Sequence, residues 1–209
     1  MFKCDQLALG VGDTVFNNGC TGLCNYIPSL LGKTATIRRN WIMYNCAEYE
    51  STTHDWLPSS KKKLFSSVFT NSEYSDCDLV ILLVGSHDGF LHEAENGKIS
   101  PKDSFNNIKS IVEGLEMLGK LVVVSYIPNP DSWQLKKANL LNNSYEHVVN
   151  ELLFTEFGHK SSKTVLGPRC DLSNFIYFRS DFYESSRPFF NKKVFFLSPS
   201  LKFKLSSHL

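Results

Sequence analysis

Two short apolar runs in the sequence are followed by residues of catalytic type. Thr14 follows the run Gln6–Gly12, and His87 and Asp88 follow the run Leu79–Val84. A hydroxyl, an imidazole and a carboxylate are the parts of a nucleophile–base–acid triad. If these three side chains converge, the chemistry would be ester hydrolysis. The simpler interpretation is that His87 is a hydrogen-bonded residue at a strand end and that Asp88 caps the loop that follows.

A second group of residues has the charge of a nucleic-acid surface. From His159 to the C-terminus there are nine Lys or Arg and three Asp or Glu, and nine minus three leaves +6, whereas the whole chain carries +1. Basic side chains neutralise phosphates and make binding salt-dependent. The predicted RNA-binding residues are Arg38, Arg39, Arg179, Arg187, Lys192, Lys193, Lys61, Lys62 and Lys63. Nearby Trp41, Tyr177 and Phe178 could stack on unpaired bases.

Each of these residues also has an interpretation that needs no RNA. Lys61–Lys63 has the composition of a solvated charge run, and Arg187 could pair with Glu184 or Asp181. Arg38 and Arg39 could be surface residues of a strand, and the aromatic side chains could belong to the core. The chain contains no recognised RNA-binding motif, so the residues alone leave RNA binding open.

The apolar periodicity predicts the elements that would position these residues. Predicted strands are Gln6–Gly12, Thr36–Tyr44, Leu79–Val84, Leu121–Tyr126 and Phe175–Phe178. Predicted helices are Lys61–Phe69, Asn106–Leu118, Gln134–Phe157 and a last one beginning in Asn191–Leu197, and Gly119 suits the C′ position of the second. Strands that alternate with helices predict an α/β fold. We expect one domain, residues 1–209, with a three-layer, doubly wound parallel sheet of about five strands in a flavodoxin-like arrangement.

The bulk composition excludes several classes of protein. Hydrophobic residues make up 42% of the chain and charged residues 21%, which is typical of a globular domain. No apolar run approaches the ~20 residues of a bilayer span, and the segment Met1–Gln6 lacks the apolar core of a secretion signal. The six cysteines form no C-x-x-C pair, so we expect reduced thiols in the cytosol, with no metal site and no cofactor.

Four segments at the predicted strand ends together resemble the SGNH/GDSL hydrolases, a family of lipases and esterases. The family's strand-Gly-Asp-Ser block corresponds to Leu9–Thr14, and its Gly-x-Asn-Asp block corresponds to Gly85–Asp88. Its Asn-x-Gly-x-x-Gly block corresponds to Asn45–Glu50, and its terminal Asp-x-x-His-Pro block corresponds to Glu184–Pro188. The resemblance covers essentially the whole chain and implies an SGNH hydrolase-like fold.

The departures from the family pattern imply that this chain is a pseudo-hydrolase. Thr14 replaces the nucleophilic serine and needs a base, but Arg187 replaces the base histidine and stays protonated. Glu184 replaces the acid of the same block. The oxyanion-hole glycine and asparagine are replaced by Glu50 and His87, and a carboxylate there would oppose oxyanion stabilisation. We therefore expect no catalytic residues.

Among hydrolase-like domains, the chain closely resembles the OSK domains of insect germ-plasm proteins. The segments that carry this similarity are Thr36–Trp41, Gly85–Asp88 and Phe178–Asp181. The resemblance implies a monomeric, non-enzymatic domain without membrane attachment. Its implied ligands are single-stranded or structured germ-plasm messenger RNAs such as nanos, bound through 3′ untranslated regions in cytoplasmic ribonucleoprotein (polar) granules. The alternatives are an interaction scaffold for other germ-plasm proteins in these granules, or a cryptic esterase.

Overall fold

A computed structural model describes residues 2–4, 44–48, 50–70, 74–94, 99–127, 144–159 and 163–167. The strands in these ranges are β1 (Phe2–Cys4), β2 (Leu79–Leu83), β3 (Leu121–Val124) and β4 (Thr164–Leu166). The helices in the same ranges are α1 (Leu64–Phe69), α2 (Ser86–Ala94), α3 (Pro101–Met117) and α4 (Tyr145–Phe157). A single 3₁₀ turn, His54–Trp56, precedes α1.

The described strands form one parallel sheet whose spatial order, β1-β2-β3-β4, is also their order along the chain. Leu82 pairs with Val124, and Val124 pairs with Leu166 on its other side. Strands β2 and β3 consist entirely of aliphatic residues, which is typical of parallel strands. The expected α/β fold with a parallel sheet is therefore confirmed at this level.

The main core lies between one face of this sheet and the helices α1, α3 and α4. Val80, Leu82, Val122 and Val124 alternate along β2 and β3, so their side chains share this face, and each is at most 2% exposed. Helix α3 packs its apolar stripe on them through residues 108, 111, 112 and 115. The stripe has the spacing that the sequence predicts for a core-facing helix.

All the described helices that contribute to this core lie on the same face. Helix α3 packs against α4, and Gly114 of α3 packs so closely on Phe65 and Pro58 that an added Cβ would lie 3.0 Å from each. Crossovers between parallel strands are right-handed. Because the strand order follows the chain order, right-handed crossovers place the connecting helices on one side of the sheet, as is found here for α1, α3 and α4.

Helix α3 has well-defined ends. Ser100 accepts a hydrogen bond from the amide of Asp103 at 3.1 Å, and the Asp103 carboxylate accepts one from the amide of Ser100 at 3.3 Å, which forms a capping box. Pro101 occupies the first turn, where its missing N–H has no consequence. Gly119 has φ 77°, the left-handed conformation expected at C′, so the predicted glycine stop is confirmed.

Helix α4 is attached to the end of β3 by one side chain. Asn150 accepts a hydrogen bond from the amide of Ile127 at 2.8 Å and donates one to the carbonyl of the same residue, also at 2.8 Å. These are buried backbone groups beyond the last paired residue of the strand. The amide side chain thus satisfies both groups where the sheet no longer can.

Several sequence predictions agree with these elements and others need correction. The predicted strands at β2 and β3 are confirmed, as is the helix at α3, which begins five residues earlier, at Pro101. The prediction of one helix over Gln134–Phe157 is wrong, because Ser144 is extended (φ −69°, ψ 150°) and α4 starts after it. Lys61–Lys63 forms a turn before α1 rather than its first residues. Strand β4 was not predicted at all.

Other predicted elements fall wholly or almost wholly outside the described residues. They are the strands Gln6–Gly12 and Phe175–Phe178, the helix beginning in Asn191–Leu197, and the strand Thr36–Tyr44 apart from its last residue, which lies in a loop. These remain predictions.

Candidate functional site

The carboxyl end of β2 turns sharply into α2 at Gly85. This glycine has φ 114°, and an added Cβ would lie 2.8 Å from Cδ1 of Ile127 and 3.6 Å from the Thr53 methyl group. Only glycine meets both conditions without strain. The turn therefore brings β2, the end of β3 and the segment around Thr53 together at the sheet edge where sites form in α/β proteins.

Five polar residues meet beneath this turn and are called the Asp88 cluster: Asp88, Thr53, Ser104, Asn107 and Tyr145. Asp88, Thr53 and Ser104 are completely buried, and Tyr145 is 5% exposed. Asp88 lies in the first turn of α2, Ser104 and Asn107 in α3, and Tyr145 at the start of α4. The cluster joins three helices to the segment that carries Thr53.

The Asp88 carboxylate is the acceptor at the centre of this cluster. Its Oδ1 accepts a hydrogen bond from the amide of Thr53 at 2.9 Å, and its Oδ2 accepts bonds from the hydroxyls of Thr53, at 2.5 Å, and Ser104. Asn107 Nδ2 donates to Thr53 Oγ1 at 3.0 Å, and the hydroxyls of Ser104 and Tyr145 lie 2.6 Å apart. A buried polar group needs such partners, and each one here has them.

The electrostatics of the Asp88 cluster follow from its burial. Burial raises the pKa of Asp88, although the hydrogen bonds from Ser104 and Thr53 and the charge of His87 act in the opposite direction. Burial also raises the pKa of the Tyr145 hydroxyl far above its usual range, so this hydroxyl keeps its proton. The cluster can hold or reorient protons, but its carboxylate is closed off from solvent.

The segment before the 3₁₀ turn is held in place by its own polar residues as well. Trp56 donates from its indole nitrogen to Ser51 Oγ at 2.9 Å, and Ser51 Oγ donates to the carbonyl of Glu48 at 2.9 Å. Between these residues Glu50 is exposed and has φ 52°, a left-handed conformation. That conformation favours glycine over glutamate.

The three predicted RNA-binding lysines among the described residues are all exposed, but they differ in their contacts. Lys62 Nζ lies 2.8 Å from Oδ2 of Asp55, whose side chain is largely buried. Burial alone would raise the pKa of Asp55, but hydrogen bonds from Lys62 and Thr52 outweigh it and lower that pKa. No ion pair is found for Lys61 or Lys63 within the described ranges. Lys63 has φ 54° at the N-cap of α1.

Of the other predicted site residues, the structure describes His87 and Glu50. His87 is half-buried in the first turn of α2, next to Asp88, and Glu50 lies three residues before Thr53. The Thr53–Asp88 hydrogen bonds therefore bring together the two segments that hold Glu50 and His87. The remaining predicted positions lie outside the described residues: Thr14, Arg38, Arg39, Arg179, Glu184, Arg187, Lys192 and Lys193.

Sequence reasoning missed four of the five members of the Asp88 cluster. Thr53, Ser104, Asn107 and Tyr145 are common polar residues, and nothing in their spacing marks them as partners of Asp88. One signal was present. The Ser100-Pro101-x-Asp103 capping pattern fixes the start of α3 and, with the 3.6-residue period, places position 104 on the same face as Ile108 and Ile111.

Neither a metal-binding cluster nor a membrane-spanning helix is found in the part of the chain that the structure describes. Within the described ranges, no three His, Cys, Asp or Glu side chains lie together in a way that could hold a metal ion. None of the helices described is long and apolar enough to cross a membrane.

No protein-family model matches the chain, and no curated protein matches it either.

Proposed function

We propose that this chain is a catalytically inactive SGNH hydrolase-like domain that binds messenger RNA through a basic surface. The observation that carries the proposal is the backbone of Glu50. The hydrolase resemblance aligns this residue with an oxyanion-hole glycine, and Glu50 has the left-handed conformation that glycine favours. A position that keeps the backbone of a glycine while presenting a carboxylate supports a hydrolase fold that has lost its chemistry.

We also propose the finer fold, a three-layer, doubly wound sheet of about five strands in flavodoxin-like order; the second face of the sheet supports its third layer. Leu79, Ile81, Leu83 and Val123 alternate with the core residues of β2 and β3, so they belong to the opposite face. These four are apolar and at least partly buried, whereas Leu121, on the same face at the start of β3, is 48% exposed. An apolar face of this kind requires a second layer of helices, which a doubly wound fold supplies.

The contacts of Asp88 favour the inactive domain over the cryptic esterase. In the esterase hypothesis Asp88 would orient His87, which would activate Thr14. The carboxylate instead accepts three hydrogen bonds from Thr53 and Ser104 beneath the surface. Those bonds occupy the group that the rearranged triad needs for its acid.

The exposed lysines before α1 support an RNA surface near this edge of the sheet. Lys61, Lys62 and Lys63 follow directly from the segment that Asp88 fixes through Thr53. Because Asp55 partly neutralises Lys62, Lys61 and Lys63 would contribute most to phosphate binding. The basic residues 38, 39, 179, 187, 192 and 193 would complete the surface.

The resemblance to OSK domains names the biological setting of this proposal. The chain is similar to the hydrolase-like domain of Oskar, the insect germ-plasm organiser. This similarity implies germ-plasm messenger RNAs such as nanos as ligands. The setting would be cytoplasmic polar granules, where the domain contributes to pole-plasm assembly. This part of the proposal depends on residue similarity alone.

RNA binding can be tested by measuring the affinity of the chain for a labelled single-stranded RNA over a series of salt concentrations. Affinity should fall with salt, with a log–log slope of about −0.7 per phosphate contact for a single strand. Lys61→Glu and Lys63→Glu should each weaken binding and reduce the magnitude of the slope by about 0.7, the value of one phosphate contact. Lys102→Glu is the matched control, since Lys102 is an exposed lysine on α3 outside the proposed surface.

Two results would contradict this function. Affinity without any salt slope excludes phosphate contacts, and affinity that survives charge reversal at Arg38, Arg39, Arg179 and Arg187 excludes the basic surface. A chain that captures granule proteins after nuclease treatment but has no RNA affinity would be the interaction scaffold instead. Ester hydrolysis that disappears in Thr14→Ala would identify the esterase.

A further inference from the structure

We propose that the Asp88 cluster is a proton-controlled latch, in which a proton on Asp88 holds Thr53 against α2 and α3 and loss of that proton releases Thr53. The proposal concerns the protein itself and does not depend on RNA binding. It is based on the arrangement of hydrogen bonds in the cluster, on the complete burial of Asp88 and on the charges around it.

The segment 50–56 is attached at this edge by the hydrogen bonds of Thr53 and by the side chain of Trp56, which is part of the core. The amide and hydroxyl of Thr53 both bond to Asp88, and its hydroxyl also accepts a hydrogen bond from Asn107. Its methyl group lies against Gly85. A change in the bonding capacity of Asp88 therefore acts directly on Thr53.

The hydrogen bonds that join Asp88, Ser104 and Tyr145 can run in two directions, and each direction gives every hydroxyl an acceptor. When Asp88 is ionised, Tyr145 donates to Ser104, and Ser104 donates to Asp88. When Asp88 is protonated, the order reverses: Asp88 donates to Ser104, Ser104 to Tyr145, and Tyr145 to the carbonyl of Ser100, which lies 3.4 Å from the Tyr145 hydroxyl. The change takes up one proton from solvent, breaks no covalent bond and leaves every hydroxyl with an acceptor.

Burial makes the ionised order the more costly of the two. Asp88 is completely buried, and no ion pair to it is found among the described residues. A buried carboxylate without a cation carries a large desolvation cost, which opening of the latch relieves by admitting water. The protonated order avoids that cost and adds the hydrogen bond from Tyr145 to the carbonyl of Ser100, at the N-cap of α3.

The charged and titratable groups around the cluster come from every element that packs on it. On α2, His87 is next to Asp88, and the ring of His92 lies 5.0 Å from that of Tyr145. Asp103 of α3 and Glu146 of α4 act on Tyr145, as Asp88 itself does. On the 3₁₀ turn, Asp55 is paired with Lys62. Of these charged groups, His87 favours the ionised form of Asp88, as do the hydrogen bonds from Ser104 and Thr53, and burial opposes it.

The sign of the pH dependence follows from linkage. Because burial raises the pKa of Asp88 in the closed state above the ordinary value of 3.8, the closed state binds the proton more tightly than the open one. The latch is therefore fully closed below 3.8 and loosens as the pH rises through the pKa of the closed state. Each unit between the two pKa values corresponds to about a tenfold change in the closed-to-open ratio.

The test is hydrogen exchange of the Thr53 amide in the intact chain, measured by NMR across pH and expressed relative to the rate for an unfolded peptide at the same pH. The protection of this amide should fall about tenfold per unit of closed-state pKa elevation as Asp88 ionises. In Asp88→Asn, a neutral side chain that can donate to Ser104 and accept from Thr53, protection should stay high at every pH. Protection in the wild type that is constant or rises with pH overturns the latch.

A second variant tests the relay and does not depend on the folding of Asp88→Asn. Tyr145→Phe leaves Ser104 without an acceptor in the protonated order, so the loss of Thr53 protection should move to lower pH, whereas Tyr44→Phe, at an exposed tyrosine, should not move it. A shift to higher pH, or no shift, contradicts the relay. The carbon chemical shift of the Asp88 carboxyl in the wild type reads its ionisation directly, and an ordinary pKa there also overturns the proposal.

Discussion

At the scale of single residues, two backbone conformations with positive φ bear on the proposed function. Glu50 and Lys63 are the two non-glycine residues with positive φ among those described. One stands at a position that the hydrolase resemblance aligns with glycine, and the other ends the lysine run before α1. An L-residue in this conformation costs roughly 1–2 kcal/mol, so both positions carry local strain.

Replacement of Glu50 by glycine should therefore stabilise the protein. The relief of left-handed strain, roughly 1–2 kcal/mol, outweighs the entropic cost of glycine, about 0.5–1 kcal/mol, so we expect a gain of up to about 1.5 kcal/mol in the free energy of unfolding. Chemical denaturation measures it. Glu48→Gly is the matched control, because Glu48 is exposed in the same segment without positive φ and should lose stability. Equal losses in both variants would remove the argument from Glu50.

A second prediction at the scale of single residues concerns the ion pair between Asp55 and Lys62. The pKa of Asp55 is lowered in the folded protein, so its contribution to stability is present above 3.8 and is lost as the pH falls below that value. In Lys62→Gln the pKa of Asp55 should rise, because burial then acts with less opposition. Carboxyl NMR titration measures the change, and Lys61→Gln should leave it unaltered. An unchanged Asp55 in Lys62→Gln would show that the 2.8 Å pair does not persist in solution.

At the scale of elements, the sequence predicts which helices and strands exist better than it predicts where they begin and end. The aliphatic runs at β2 and β3 and the stripe of α3 are strong patterns, since burial on one or both faces demands them. Strand β4 has three residues, Thr164–Leu166, which is too short for periodicity to reveal. The prediction of one helix over Gln134–Phe157 missed the N-cap at Ser144. The Ser144 hydroxyl accepts a hydrogen bond from the amide of His147 at 3.3 Å, and α4 begins after this residue.

The start of α4 can be tested by the sign of one substitution. Ser144→Ala should destabilise the protein by about 1 kcal/mol, because it removes an N-cap. Within a continuous helix the same change would stabilise it by a few tenths of a kcal/mol, since alanine has the higher helix propensity. Thermal or chemical unfolding distinguishes the two. Ser110→Ala, on the exposed side of α3, is the control and should show the stabilising sign.

At the scale of the whole molecule, the sheet has a core face that is covered and a second apolar face. If the fold is three-layered, a polar residue at Val123, which belongs to the second face, should be poorly tolerated. Val123→Asn is expected to cost about 2–4 kcal/mol, from lost apolar burial and an amide with few partners. Val165→Asn, at an exposed position on β4, should change stability by about 0.5 kcal/mol or less. Similar small effects at both positions would contradict the second layer.

The sequence by itself determined the parallel α/β architecture, the helix α3 with its glycine stop, and the types of residue at the sheet edge, because burial periodicity and turn chemistry are local properties. It could not determine that Asp88 turns inward to Thr53, Ser104 and Tyr145. Those partners come from three separate segments, and their meeting with Asp88 depends on how α2, α3 and α4 pack. A buried carboxylate needs donors from wherever the chain can supply them, and only the tertiary structure decides which segments those are.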